Sequence, residues 1–123
     1  MSRQQVQQTL PEGISTTAML PGKEHLAAQA IFALARLVET AKGRRGECAK
    51  VAHFLLGLYD GRRYRVDLTE LRSLDSGLVD DCLCVLAADG HRLLSRPIHQ
   101  YFPHGNELFQ EIRYLHGFEP AKT

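Results

Sequence analysis

The sequence lacks most of the features that announce a function. Among 123 residues there is no tryptophan, and cysteine occurs only three times. A small, odd number of cysteines argues against a secreted disulfide framework and for reduced thiols in the cytoplasm. No stretch approaches the roughly 18 uninterrupted apolar residues that a membrane helix needs, so no membrane partner is expected. The first twelve residues are polar and glutamine-rich, without an apolar segment able to act as a signal peptide. The formal net charge of +1 exerts no global pull on nucleic acid or anionic lipid. A Gly-x-Ser-x-Gly elbow, a phosphate-binding loop, a dinucleotide fingerprint and a His-Glu-x-x-His zinc helix are all missing. Nothing therefore points to catalysis, and no cofactor or metal is expected.

What is present is an ordinary globular composition, 44% hydrophobic and 24% charged, in a chain long enough for one domain without disulfides or a structural metal. Residues 1–22 read as an N-terminal tail, with Pro11, Gly13, Pro21 and Gly22 and no helical apolar face. Ile14, Ala18, Met19 and Leu20 interrupt its polarity and are suited to dock it on the domain or on a second copy, so a homodimer is expected. Residues 23–118 form the domain, and 119–123 a short C-terminal tail.

Within the domain the apolar periodicity predicts a mainly α fold, a single compact bundle of four to five helices. A first helix runs from about Lys23 to Lys42, its stripe being Ala27, Ala30, Ile31, Leu34, Leu37, Val38 and Ala41. Gly43 supplies a stop, and Phe32 falls on the polar side with Gln29 and Arg36. The second helix, about Arg45 to Asp60, is apolar over most of its circumference, leaving only Glu47, Lys50, His53, Gly57 and Asp60 as a polar strip. Such a helix is central, and this one is read as the hub. Asp67 and Glu70 have capping-box spacing at the start of a short helix, flanked by Val66 and Leu71 as a staple. Asp75 then caps a helix from about Ser76 to Ala88 that buries Leu78, Val79, Cys82, Val85 and Leu86 and turns Asp80, Cys84 and Ala88 outward. Pro97 opens a short turn with Ile98, Tyr101 and Phe102 as anchors, and a last helix spans about Asn106 to Leu115. The runs Tyr64–Val66 and Arg92–Leu94 leave room for one very short two-stranded pairing.

Chemistry-bearing residues cluster poorly. Cys82 and Cys84, two apart on a helix, diverge by roughly 200° and do not form a zinc pair. Cys48 reads as a packed thiol. His91, His99, His104 and His116 include no i,i+4 pair. Asp80 and Asp81 offer two adjacent carboxylates, but adjacent helical residues diverge by about 100°. A metal-dependent enzyme built on them and the histidines is one alternative. Charge is nevertheless polarised. Lys42, Arg44, Arg45 and Lys50 form one basic group and Arg62, Arg63, Arg65 and Arg72 another, whereas Asp75 to Asp89 holds four acids and no base. Nucleic-acid or anion contact through Arg44, Arg45, Arg62, Arg63 and Arg65 is a second alternative, though not the favoured one. The apparent helix-turn-helix at 67–88 fails because Asp80 and Asp81 would face the negatively charged groove.

Several blocks recur together: Leu37-Val38-Glu39-Thr40-Ala41, Gly46, Val51-Ala52-His53-Phe54-Leu55-Leu56, Val66-Asp67-Leu68-Thr69-Glu70-Leu71, Asp75 and Leu78-Val79-Asp80-Asp81. In this order they resemble an uncharacterised family of small bacterial proteins, a domain of unknown function carried on integrative and conjugative elements and plasmids of proteobacteria. The chain departs from that pattern by having Gly57-Leu58-Tyr59 and Arg72 where the family has tryptophans. The resemblance implies a bacterial cytoplasmic accessory protein with no established activity. The leading expectation is a non-catalytic binding or adaptor protein with an unknown protein partner. Its candidate functional surface is Asp80 and Asp81 together with His53 and Phe32.

Overall fold

A computed structural model describes residues 22–120. The docking segment 14–20 and, apart from Gly22, the expected tail over 1–22 lie outside the described residues. Among the described residues four α-helices follow one another, α1 (Lys23–Ala41), α2 (Gly46–Tyr59), α3 (Ser76–Gly90) and α4 (Gly105–His116). Two 3-10 helices, Leu68–Ser73 and Ile98–Tyr101, lie in the connections on either side of α3. The mainly helical expectation holds.

The hub assignment holds for a physical reason. From Glu47 to Asp60 no residue of α2 or its C-cap is fully exposed, and Val51, Ala52, Leu55 and Leu56 have no accessible surface. The helix packs on α1, α4 and both 3-10 helices. Each buried leucine or phenylalanine in such a core contributes about 1.5–3 kcal/mol; here these include Leu34, Leu37, Leu55, Leu56 and Phe109.

The polar strip of α2 is not a solvent face. The Asp75 N–H donates to the Glu47 carboxylate at 3.1 Å, and Lys50 Nζ donates to Ser73 Oγ. His53 Nδ1 lies 3.1 Å from Glu70 Oε1, and Val66 lies directly over Gly57. Four consecutive turns of α2 thus hold the segment 61–75 in place. The short helix at 67–72 appears as the 3-10 helix, with Asp67 accepting from the Thr69 N–H at 2.9 Å. The reciprocal capping box does not form: Asp67 caps Thr69 rather than Glu70, the Glu70 N–H donates to the Asp67 carbonyl, and the Glu70 side chain turns to His53.

No strand occurs among the described residues, which corrects the two-stranded pairing. Arg63 and Tyr64 direct their N–H groups back to the Asp60 carbonyl, and the Tyr64 ring is 5% exposed in the core. Arg92 adopts a φ of 59°, which no strand accommodates.

α1 and α3 run antiparallel, since Leu26 and Ala30 meet Ala88 while Arg36 meets Asp81. The burial phase of both helices differs from expectation. In α1, Leu26 and Ala33 are buried while Ile31 is 39% exposed. In α3, Ala88 is completely buried and Leu86 is 38% exposed. Small side chains at Ala30, Ala33 and Ala88 let the helices approach, which turns that face inward. Asp75 occupies the N-cap position of α3 without a side-chain capping bond.

α4 ends in a Schellman motif. Phe118 N–H donates to the Arg113 carbonyl and Gly117 N–H to that of Tyr114, with Gly117 at φ 72°. The turn lays the Phe118 ring on His53, with centroids 4.7 Å apart.

Candidate functional site

The structure gives each expected site residue a different setting. His53 is held by Glu70 on one side and stacked by Phe118 on the other, so its geometry serves to fasten the 61–75 segment and the C-terminal turn onto the hub. Ser73, beside Lys50, donates its hydroxyl proton to the Glu70 carbonyl at 2.9 Å. That commitment leaves no serine–lysine nucleophile poised there.

The basic residues do not form one patch. Arg44 and Arg45 precede α2, while Arg62, Arg63 and Arg65 follow it. A helix of 14 residues separates them by roughly 20 Å. All five are exposed, and Arg63 approaches Asp60 at 3.5 Å. Arg44 lies at a shallow hollow along the outer side of α4, beside Glu107, Glu111 and Tyr114.

Asp80 and Asp81 diverge as the helix geometry requires. Asp81 turns to α1 and accepts two hydrogen bonds from Arg36, at 3.0 Å from Nε and 2.8 Å from Nη2. This fork-to-fork arrangement raises the Arg36 guanidinium above its ordinary range, mainly through the hydrogen bond and then through the charge of Asp81. Asp80 stays exposed and forms no ion pair among the described residues.

A groove of about 740 Å³ runs between α1 and α3. Its floor is small and apolar at Ala35, Gly77 and Leu78. Its walls carry Glu39, Asp75, Asp80 and Asp81 against the single cation Arg36. Glu39 also meets Lys42 on the surface at 3.0 Å. One turn from Arg36, Phe32 stands 68% exposed on the outer side of α1. The outward positions Ala28, Ile31, Phe32 and Ala35 repeat at helical spacing, so α1 carries a second apolar stripe beside the buried one.

Two of the three thiols, Cys82 and Cys84, are carried by α3, and Cys48 packs beside Gly43. Burial pushes Cys82 up to about 12, with Asp81 adding to the effect. Cys84 is raised mainly by burial as well. Among the described residues no three His, Cys, Asp or Glu side chains are grouped to hold a metal ion. No described helix is long and apolar enough to cross a membrane.

The profile of a family of unknown function, DUF7673, matches residues 31–116. The chain belongs to that family. No curated protein and no solved structure matches it. The DUF7673 match begins just before Phe32 and ends with α4, so it takes in the groove between α1 and α3.

Sequence reasoning missed three functional or near-functional contacts. Arg36 and Asp81 are 45 residues apart, and no local pattern pairs them. The His53–Glu70 contact was hidden behind a capping box that accounted for Glu70 in another way. The Phe118 stack had a legible signal, since an apolar residue directly after a helix-ending glycine is the Schellman pattern.

Proposed function

We propose that this chain is a non-catalytic accessory protein that docks a basic, amphipathic segment of a protein partner in the groove between α1 and α3. The observation that carries this reading is the groove itself. Four carboxylates face one guanidinium around an apolar floor, and an exposed phenylalanine stands one turn of α1 beyond that guanidinium. Asp81 is neutralised by Arg36, which among the described residues leaves Asp75 and Asp80 without an ion-pair partner and Glu39 paired only on the exposed surface. An occupant with lysine or arginine on one side and an apolar anchor on the other satisfies both features. The resemblance of the sequence blocks to proteins of bacterial mobile elements supports a cytoplasmic accessory role. Association of two copies through the second apolar stripe of α1 is a competing use of the same face.

The test uses a fluorescent lysine–leucine amphipathic peptide and a glutamate–leucine peptide of equal length. Binding of the basic peptide is expected to weaken with salt and to vanish in Glu39→Lys/Asp80→Lys. Phe32→Ser is expected to weaken it about tenfold, as a truncated aromatic anchor does, while leaving stability within about 0.5 kcal/mol because the ring is largely solvated. Equal binding of the acidic peptide, or undiminished binding by the charge-reversed variant, refutes the reading.

A further inference from the structure

The end of α3 contains a residue that the fold alone disfavours. Leu93 N–H donates to the Ala88 carbonyl at 2.9 Å and Arg92 N–H to that of Asp89 at 3.0 Å, the two bonds of a Schellman stop. The residue after the C-cap in that motif takes the left-handed conformation, and glycine is the usual choice there. Here the position holds Arg92, at φ 59°, while the nearby Gly90 lies inside the helix. A side chain at such a φ is penalised by contact of its Cβ with the backbone. The Arg92 guanidinium forms no ion pair or side-chain hydrogen bond among the described residues that would hold it in this conformation. A strained residue without an offsetting contact suggests a role outside the free fold.

Arg92 lines a hollow of about 400 Å³, within the range of small-ligand sites, about 300–1,000 Å³. Arg96 and Ser95 stand on the same rim. Tyr101 positions both of them. Its hydroxyl accepts from the Ser95 N–H at 2.9 Å, and its ring lies under the Arg96 guanidinium at 5.3 Å. From His91 to Gly105 the chain has two arginines, three histidines and no acid. Asp89 is the one carboxylate on the lining, and the remaining wall is Tyr59 with the apolar Leu58, Leu94, Pro97 and Ile98.

We propose that this hollow binds a small phosphate ester. Arg92 and Arg96 would clamp the phosphate, and the apolar wall of Leu58, Leu94, Pro97 and Ile98 would receive its organic part, beside a Tyr59 ring already packed on Phe109 and His99. Two guanidinium forks match phosphate oxygens bidentately, and an apolar wall suits the face of a ring of nucleobase size. The inference stands on different residues from those of the α1–α3 groove.

Thermal-shift and calorimetric titrations of the full chain test it. The probes are AMP, GMP, CMP and UMP, the matching nucleosides, inorganic phosphate and a single-stranded ten-nucleotide RNA. At least one monophosphate is expected to stabilise the protein, and its nucleoside is not. Arg92→Gly separates strain from binding, because it should raise the melting temperature of the free protein and weaken the monophosphate at least tenfold. Arg96→Ala should weaken it similarly, and Arg44→Ala should leave it unchanged. Absence of stabilisation by every monophosphate at millimolar concentration overturns the proposal. So does unaltered binding in Arg92→Gly. So does RNA binding that exceeds every monophosphate and depends on Arg62, Arg63 and Arg65 instead.

Discussion

Replacing Gly105 by alanine should separate close backbone approach from helix propensity. Gly105 begins α4 and is buried. A Cβ built there falls inside the carbonyl group of His99 and within 3.3 Å of the His99 Cβ. The obstacle is backbone, so no rotamer change relieves it. The 3-10 helix Ile98–Tyr101 and the start of α4 must part. That movement disturbs the His99 carbonyl, which accepts from the Phe102 N–H at 3.3 Å, a bond worth about 0.5–1.5 kcal/mol. It also strains the packing of Ile98, 2% exposed, and Phe109, fully buried, where overpacking costs about 1–3 kcal/mol. Against this, alanine gains up to about 1 kcal/mol in helix propensity. The net expectation is a loss of about 0.5–4.5 kcal/mol, or roughly 2–20 °C in melting temperature for a domain near 100 residues. Gly46→Ala, at the first residue of α2 where nothing lies within 4 Å, is the control and should gain a few tenths to about 1 kcal/mol. Urea denaturation followed by far-ultraviolet circular dichroism measures both. Equal stability of the two variants would refute the reasoning.

The remaining predictions concern charge. Because the folded Cys82 thiol is pushed up to about 12 while an unfolded one ionises near 9, the unfolded chain releases its proton first. Stability from this group is therefore intact below pH 9 and declines between pH 9 and 12, by up to about 1.4 kcal/mol per pH unit. Urea midpoints of the parent and Cys82→Ala at pH 8 and 10.5 isolate that slope, and parallel declines would sink the assignment. For Arg36 and Asp81, a double-mutant cycle with Arg36→Ala and Asp81→Ala should give a coupling of about 0.5–1 kcal/mol. Solvent at the Arg36 end, 61% exposed, discounts a bidentate pair to that size. A coupling indistinguishable from zero would make the pair incidental to holding α1 on α3.

The hub was legible because Val51, Ala52, Phe54, Leu55 and Leu56 leave almost no direction for solvent. What its polar strip does was not legible. Lys50 and His53 look alike in sequence whether they meet water or Ser73 and Glu70, and only tertiary placement decides. The phase of α3 misled for a related reason. With Leu78, Leu83, Leu86 and two alanines spread around the helix, size suggests burying Leu86, whereas close approach to Ala30 buries Ala88 and leaves Leu86 38% exposed. Phe32 and Asp80 were legible as candidate surface residues for the opposite reason. Each lies off the face that packing needs.

That distinction also bears on how much of the charge pattern is functional. A helix carries partial positive charge at its N-terminus and negative charge at its C-terminus, and acids and bases at the respective ends stabilise it by about 0.3–1 kcal/mol each. Asp75 at the start of α3 and Arg92 beyond its end fit this rule. Their charges would be present in a protein with no ligand at all, and Asp89 is the exception near the C-terminus. The effect fades within one turn, however, so it does not account for Asp80. It accounts for the charge of Arg92 but not for its conformation, since an arginine one or two residues away would serve the dipole without the left-handed φ. Nor does any dipole or packing argument place Phe32 in water. The charge of Asp80, the exposure of Phe32 and the φ of Arg92 thus have no account in the fold. Asp80 lines the α1–α3 groove, Phe32 stands one turn beyond its lining residue Arg36, and Arg92 lines the hollow beyond α3, where an external ligand would supply one.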